Sequence, residues 1–285
     1  MLVGALILVL LAAVSQPALA QRRQPRPGWN VFSVEQDIQL GKEAAAEIEK
    51  QVRLVDDREL NDYFQRIGRR LASQPQAGSF PYSFKVVLDQ AINAFALPGG
   101  PTYMNTGLIA QADNEAQIAG VVAHEISHVA LRHGTNQASK ATLLQLPAAI
   151  AGGALGSESL LGRIGQAGIG IGAGSVLLKF SRGAERDADL LGARMMHSAA
   201  YDPVEMARFF EKLEAEHRGG IEFLSSHPKP GNRIQAVQDE VKHLPAKHYT
   251  AGEGDLGRMK SSVEELDRRN PPKLPPPAQQ GRSRR

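Results

Sequence analysis

The chain has 285 residues, of which 42% are hydrophobic and 22% charged; this predicts one main domain with tails and excludes disorder throughout. The net charge of +3 does not indicate a nucleic-acid groove, because much of the basic excess lies near the two ends, where solvated tails explain it. The absence of cysteine excludes disulfides and thiol nucleophiles, so any metal must be held by histidine and carboxylate side chains.

The N-terminus has the pattern of a secretory signal peptide. Leu2 to Val14 is continuously apolar, and Ala18 and Ala20 supply the small residues that a signal peptidase needs before Gln21. The apolar run is shorter than the roughly 18–20 residues needed to cross a bilayer. No lysine or arginine precedes it. We expect residues 1–20 to be a signal peptide for export to a bacterial periplasm, which a cysteine-free protein suits. Retention of the segment as a membrane anchor is the alternative.

The first part of the main domain is predicted to be helical. Residues 21–32 are basic and proline-rich and read as a flexible linker. Ser33 and Gln36 have the capping-box spacing, which starts a helix that ends near Val52. Apolar residues at helical spacing predict a second helix over Asp57 to Leu71.

A small antiparallel sheet and a further helix are predicted next. The strand candidates are short and rich in β-branched and aromatic residues: Tyr82 to Leu88, Ala91 to Leu97, and Thr102 to Met104. Asp113 or Asn114 then caps a helix that stops near Gly134. The fold class is therefore α+β and mainly α.

The second half is predicted to be helical up to a disordered tail. Leu143 to Leu178 is apolar and rich in glycine and alanine, and we expect either internal helices or a mobile apolar flap. Helices are expected around Ser181 to His197, after Asp202, and after Pro230. Residues 251–285, basic and proline-rich, are expected to be disordered.

The pentad from His124 to His128 carries the clearest chemical signal. Residues four apart share one face of a helix, so His124 and His128 can present their imidazoles to one metal ion. Glu125 lies beside that pair, close enough to hold a water molecule. Such a group predicts metal-assisted hydrolysis, in which the carboxylate takes a proton from water.

A catalytic zinc site needs a third protein ligand. The metzincin pattern fails, because Leu131 and Gly134 stand where it requires glycine and histidine. His133 lies on a different helical face from His128, and we expect it to be solvated or to cap the helix. Glu185 and Asp189 share a helical face, so one could bind metal while the other accepts a hydrogen bond from a ligating imidazole. Alone, the pair could equally be solvated charges at a helix N-terminus.

Four motifs in order resemble one known family. They are Asn93-Ala94-Phe95-Ala96-Leu97-Pro98-Gly99-Gly100, His124-Glu125-Ile126-Ser127-His128, Glu185-Arg186-Asp187-Ala188-Asp189-Leu190-Leu191-Gly192 and His227-Pro228. Together they resemble the M48 zinc metallopeptidases, most closely the exported single-domain bacterial members related to the catalytic domain of the CAAX-processing Ste24 enzymes. The resemblance implies a zincin-like domain over residues 33–250.

The same resemblance implies the composition of the site. One Zn²⁺ per chain would be held by His124, His128 and Glu185, with Glu125 as general base and Asp189 supporting a ligating histidine.

The resemblance implies roles for further residues, and each of these roles has an alternative interpretation. Asn93, Ala94, Phe95 and Ala96 match a substrate-binding strand that pairs with an extended peptide backbone, or are an ordinary sheet strand. His227 matches a catalytic histidine that could donate to the oxyanion, or reach the zinc in a resting state and exclude water. Arg233 could bind the same negative charge or cap a helix.

The function implied is endoproteolysis of unfolded or misassembled exported proteins, a form of envelope quality control. The partners would be polypeptide substrates, with no nucleic acid and with peripheral membrane association as a further expectation. Residues 143–178 could act as a plug over the cleft. The rival hypothesis is a catalytically silent chaperone or assembly factor that binds unfolded chains in the same cleft.

Overall fold

The computed structural model describes residues 24–141, 171–172, 175–176, 180–216, 221–227, 232–252 and 254–271. The expected signal peptide, most of the expected plug, and the tail beyond residue 271 lie outside this part of the chain. Within the described ranges, no helix combines the length and apolar character that crossing a membrane requires.

The described residues are mostly helical, and this confirms the predicted fold class. The helices are α1 (Val34–Ile48), α2 (Arg58–Ala72), α3 (Thr106–Gln111), α4 (Glu115–Ala130), α5 (Arg182–Ser198), α6 (Val204–Glu216), α7 (Glu222–Ser226), α8 (Arg233–Lys242) and α9 (Leu256–Arg269). A 3-10 turn lies at Pro75–Ala77, and residues 133–141 are also helical. The capping box at Ser33 and Gln36 is present as predicted.

The main sheet is mixed, which corrects the prediction of a wholly antiparallel one. Its strands are β1 (Ser83–Val87), β2 (Ala94–Ala96) and β3 (Pro101–Asn105), in the order β1-β3-β2. β2 and β3 form an antiparallel hairpin, whereas β1 pairs with β3 in parallel. The chain reverses twice between β1 and β3, so these strands run in the same direction, and β2 is left at an edge. A second pair, β4 (Ile171–Gly172) and β5 (Ser175–Val176), is antiparallel.

Helix α4 lies at the centre of the domain and packs against α2, α5 and α6. Every residue from Glu115 to Val129 is buried. Close approach depends on glycine on both sides: a Cβ on Gly120 would lie 2.6 Å from the Met206 side chain, and one on Gly192 would lie 3.3 Å from the His124 backbone nitrogen. The α4–α5 contact brings the first turn of α5 beside the histidines of α4.

Helix α4 ends earlier than predicted. Its last residue is Ala130, and Arg132 adopts a left-handed backbone with φ of 56°. Arg132 is fixed there because its guanidinium donates to Asp37 at 2.6 Å and to the Phe32 carbonyl at 2.6 Å. The chain therefore turns sharply before it resumes as the helix over residues 133–141.

The C-terminal segment is more ordered than predicted. Residues 251–285 were expected to be disordered, but α9 forms over Leu256–Arg269, capped by Asp255. Leu256, Met259 and Val263 are buried against the main core. These residues stand at helical spacing, which is the signal that the polar composition of the segment obscured.

Part of the predicted linker also makes specific contacts. Residues 24–32 have no helix or strand, but Asn30 donates to Thr135 Oγ1 at 2.7 Å and the Val31 amide donates to Ser139 Oγ at 3.0 Å. These bonds attach the segment to the helix over residues 133–141.

Candidate metal centre

Two buried histidines of α4 form one side of the site. His124 and His128 lie one turn apart, with relative exposures of 0% and 4%. Their Nε2 atoms are 3.0 Å apart, so both rings present the same nitrogen to one point.

Helix α5 supplies a carboxylate to the same point. Ser181 caps the helix by accepting from the Ala184 amide, which places Glu185 in the first turn. Its Oε2 lies 3.3 Å from His124 Nε2 and its Oε1 lies 3.5 Å from His128 Nε2. Glu185 is fully buried.

His227, at the end of α7, completes the group. Its Nδ1 lies 3.2 Å from both His124 Nε2 and Glu185 Oε1. The Phe223 ring stacks on its ring with centroids 4.5 Å apart, which holds the imidazole against the other donors.

These donor atoms have the spacing of a tetrahedral zinc site. Ligand atoms of His124, His128, Glu185 and His227 lie within 4.8 Å of one another. A tetrahedron with metal–ligand distances of about 2.0–2.1 Å has edges of about 3.3–3.4 Å, close to the separations between these donors. Imidazole nitrogens and a carboxylate oxygen also suit zinc chemically. The residues present therefore fit the ion.

Behind these donors, charged groups fix their orientation. Asp189 Oδ1 lies 2.9 Å from His124 Nδ1, the nitrogen that faces away from the cluster. Arg233, at the start of α8, donates to Asp189 Oδ2 at 2.6 Å and to Glu185 Oε2 at 3.1 Å. Its guanidinium also lies 4.1 Å from the centroid of the Phe210 ring. Arg233 thus contacts the carboxylates of the site rather than solvent.

The buried surroundings shift the pKa values of the donor side chains. Burial lowers the pKa of His124, but hydrogen bonds to Asp189 and Glu185 outweigh it and raise that pKa to about 9. Burial holds the pKa of His128 well below its usual range. Burial would raise the pKa of Glu185, but the neighbouring His227 and His124 lower it overall. The group is thus arranged around a negative Glu185 that favours a cation.

Glu125 lies beside the donors and does not join them. Its Oε2 accepts from the Ala96 amide at 3.1 Å, and its Oε1 lies 3.4 Å from His227 Nε2. Among the described residues, Oε1 has no hydrogen-bond partner. Burial raises the pKa of Glu125, which makes the carboxylate a better proton acceptor.

Strand β2 runs beside Glu125 with one edge uncovered by β3. The Leu97 amide donates to Pro101 and the Asn93 carbonyl accepts from Asn105, so these residues face β3. Alternation then directs the backbone groups of Ala94 and Ala96 outward, as the Ala96–Glu125 bond shows. The side chain of Phe95, by contrast, stacks on the Tyr103 ring of β3, with ring centroids 5.0 Å apart.

Asn93 has an unusual environment next to β2. Its side chain is buried, and its amide oxygen has no hydrogen-bond partner among the described residues.

His133 was expected to be solvated or to cap a helix, and this was wrong. It is buried, and its Nδ1 lies 3.0 Å from His128 Nδ1. Burial lowers its pKa to about 4. The early end of α4 at Ala130 explains the error, because the turn at Arg132 redirects the next residue toward the site.

Phe180 is a second residue that the sequence did not indicate. Its ring is buried and stacks on His128 with centroids 4.1 Å apart. No local pattern marks this contact, because it joins segments far apart in the sequence.

Comparison with known proteins agrees with this geometry. The pattern of the family described as "Peptidase family M48" matches residues 58–241. The Escherichia coli K12 protein named "Beta-barrel assembly-enhancing protease" is 29% identical over 93% of this chain and 60% of its own length. The protein of the same name from Yersinia pestis is 30% identical over 79% of this chain and 47% of its own length.

A eukaryotic relative is also similar. The Schizosaccharomyces pombe protein named "Mitochondrial metalloendopeptidase OMA1" is 29% identical over 66% of this chain and 55% of its own length. This chain therefore spans about half to three fifths of these relatives. The family pattern covers most of the chain, including the residues of the metal centre. The chain belongs to peptidase family M48, whose members are zinc-dependent metallopeptidases.

Proposed function

We propose that this chain is a zinc endopeptidase that cleaves internal peptide bonds of unfolded or misassembled exported proteins. The observation that carries the proposal is the joint placement of Glu125 and the group His124, His128 and Glu185. A buried acid with a raised pKa, one oxygen of which has no hydrogen-bond partner in the described part of the chain, lies beside a set of donors with the spacing of a tetrahedral zinc site.

His124, His128 and Glu185 would hold the zinc. The bound ion would supply Lewis-acid activation of water and of the peptide carbonyl. Asp189 keeps the proton of His124 on Nδ1, so that Nε2 offers a lone pair to the ion. Arg233 balances the charge of both carboxylates inside the domain.

Glu125 would act as general base. Its bond to the Ala96 amide aims the carboxylate, and its other oxygen remains available for a water proton. After the attack, the same carboxyl group can pass the proton to the leaving amine.

The substrate backbone would pair with the outer edge of β2. Ala94 and Ala96 direct backbone groups outward, and Ala96 lies next to Glu125. Pairing through main-chain atoms accepts many side chains, which suits cleavage of unfolded chains of varied sequence. Asn93 would accept a hydrogen bond from the substrate through its amide oxygen, which has no hydrogen-bond partner among the described residues.

His227 would have a resting and an active role. In the present arrangement its Nδ1 occupies the fourth donor position, and a catalytic zinc site must keep one position open. We infer that this is a resting state, and that His227 moves away before hydrolysis. Once displaced, it would be near enough to donate to the oxyanion.

The proposed setting is the bacterial cell envelope. The signal-peptide pattern at residues 1–20 supports export, and the names of the bacterial relatives support work on β-barrel assembly. Trp29 and Val31 are more than half exposed, at 56% and 53%. An exposed Trp three residues after the exposed Arg26 in the chain supports peripheral contact with a membrane surface.

The rival hypothesis is a silent chaperone that uses the same cleft. A pure binding protein would gain nothing from a buried acid with one unpaired oxygen beside zinc donors, because an unsatisfied buried oxygen carries a cost of about 1–3 kcal/mol. The arrangement of Glu125 therefore favours the enzyme.

The test is hydrolysis of casein by the purified full chain, with zinc, with a chelator, and as the Glu125→Gln variant. We expect one zinc per chain in both proteins and loss of about 10²–10⁴-fold in rate for the variant. Glu43→Gln, a change at a partly exposed position of α1 outside the metal centre, is the matched control and should keep full activity. Equal turnover by wild type and Glu125→Gln at full zinc occupancy would refute the proposal.

A further inference from the structure

We propose that His133 is a positioning residue that fixes the ring of His128 through an imidazole–imidazole hydrogen bond. The inference rests on the proposed role of His128 as a zinc ligand. It assigns a hydrogen-bond partner to Nδ1 of His128, just as Asp189 is the hydrogen-bond partner of Nδ1 of His124.

The direction of the bond follows from the geometry. His128 Nε2 faces the other donors, 3.0 Å from His124 Nε2 and 3.5 Å from Glu185 Oε1. A neutral ligating imidazole offers a lone pair on that nitrogen and carries its proton on the other. The proton of His128 is therefore on Nδ1, which lies 3.0 Å from His133 Nδ1. His133 must accept it, and so carries its own proton on Nε2.

One backbone turn, rather than a local sequence pattern, directs His133 toward the site. In an uninterrupted helix, residues five apart are rotated by about 140°, which would direct His133 away from His128. Here α4 stops at Ala130, and the left-handed Arg132 reverses the chain. Arg132 is held by Asp37 and by the Phe32 carbonyl, so α1 and its entry segment determine where His133 lies.

The two ligating histidines are thus oriented by different chemistry. His124 is held by a carboxylate that is itself paired with Arg233. His128 is held by a neutral ring on one side and by the stacked ring of Phe180 on another. A neutral acceptor adds no charge to a site that already contains buried carboxylates. It fixes the tautomer and the angle of the ring.

The experiment measures zinc affinity of the full chain by competition with a chelator of known affinity. His133→Leu removes the acceptor. His133→Asn keeps an oxygen where Nδ1 stands, whereas His133→Gln moves the polar atoms one bond farther. Since loss of such partners lowers metal affinity by about 10–100-fold, we expect that loss for Leu and Gln, and near wild-type affinity for Asn.

Controls separate positioning from folding. His197 is buried to a similar degree and lies 3.2 Å from the Tyr249 hydroxyl, on another part of α5; His197→Leu should leave zinc affinity unchanged. Unfolding of the metal-free variants reports stability directly. If His133→Leu does not fold, the comparison of Asn with Gln decides. Replacement of zinc by cobalt adds a second readout. The visible absorption spectrum of the bound cobalt should change in His133→Leu and His133→Gln and should stay as in wild type in His133→Asn.

Two results would overturn the proposal. One is wild-type zinc affinity in both His133→Leu and His133→Gln, and the other is equal weakening in all three variants. Failure of the proposed function gives a different pattern, because then wild type would bind no zinc, or His128→Ala would bind it as well as wild type.

Discussion

Arg233 Nε lies 2.6 Å from Asp189 Oδ2, directly behind the carboxylate whose other oxygen faces His124 Nδ1. The same guanidinium reaches Glu185 at 3.1 Å. One arginine therefore connects a proposed zinc ligand with the residue that orients another. Both carboxylates are buried, and the Arg233 guanidinium forms an ion pair with each of them.

Substitution at Asp189 should weaken zinc binding in two steps. Asn keeps an oxygen for His124 but loses the ion pair with Arg233, and Ala loses both. We expect the zinc dissociation constant to rise about 10-fold for Asp189→Asn and towards 100-fold for Asp189→Ala. Chelator competition measures it. Asp239→Asn, an exposed change on α8, is the control, and unchanged affinity in Asp189→Ala would contradict the prediction.

His227 should restrain the enzyme in the arrangement described above. Its Nδ1 lies 3.2 Å from His124 Nε2 and from Glu185 Oε1, where it would take the fourth donor position, so only the fraction of molecules with His227 displaced would be competent. If that fraction is about one tenth and the restraint outweighs the oxyanion contribution, His227→Ala should increase turnover of a short peptide by up to about ten-fold, because removing the competing state raises the competent population.

The comparison needs a zinc measurement and a neutral histidine change. Zinc content should stay at one per chain in His227→Ala, since His124, His128 and Glu185 remain. His243→Ala alters an exposed histidine of the α8 terminus and should change nothing. A loss of turnover in His227→Ala at full zinc occupancy would instead favour an obligatory oxyanion role.

Sequence patterns predicted the local parts of this site and missed the parts set by distant contacts. Helix α4 could be predicted from its cap and from the spacing of His124 and His128. The position of His133 could not be predicted, because neither Leu131 nor Arg132 is a glycine, the residue that would indicate a left-handed turn. That turn depends on Asp37, far away in the chain.

The same distinction holds for the fold. Each strand of the sheet was visible as a short β-branched or aromatic run, but the parallel pairing of β1 with β3 was not. Which strands become neighbours depends on how the chain crosses the domain. Glu185 was likewise one of two candidates for the third ligand until the resemblance, and the packing of α5 on α4 brings its carboxylate to 3.3 Å from His124 Nε2.

Backbone pairing with β2 predicts a period-two response to N-methylation of a peptide substrate. Successive amides of an extended chain point to opposite sides, so only alternate N–H groups can donate to the outward carbonyls of Ala94 and Ala96. Methylation of one of those amides should lower kcat/KM about three- to ten-fold, the value of one hydrogen bond. Methylation of the intervening amides should have little effect.

The unmethylated peptide and a set methylated at each position in turn provide the comparison. Uniform loss at all positions, or no loss at any, would mean that side-chain pockets rather than β2 hold the substrate.

Stability in acid should depend on Glu115, which lies outside the metal centre. Arg66 donates to both carboxylate oxygens, at 3.0 and 2.7 Å, and the Tyr201 hydroxyl donates at 2.9 Å. Burial raises the pKa of Glu115, but these bonds outweigh it and lower the pKa below 4.5. A carboxyl with a lowered folded-state pKa stabilises the fold above pH 4.5, and this contribution is lost as pH falls through the folded-state pKa.

Glu115→Gln should therefore be less stable than wild type at neutral pH by about 1–2 kcal/mol, a value reduced because Arg66 is 47% exposed and partly screened. Gln does not titrate, so the difference between the two proteins should shrink at pH 3.5. Urea unfolding of both proteins at pH 7 and pH 3.5, with chelator present so that zinc release does not contribute, measures it. Glu43→Gln should match wild type at both pH values. A gap of equal size at pH 7 and pH 3.5 would show that Glu115 stabilises the fold by its shape and not by its charge.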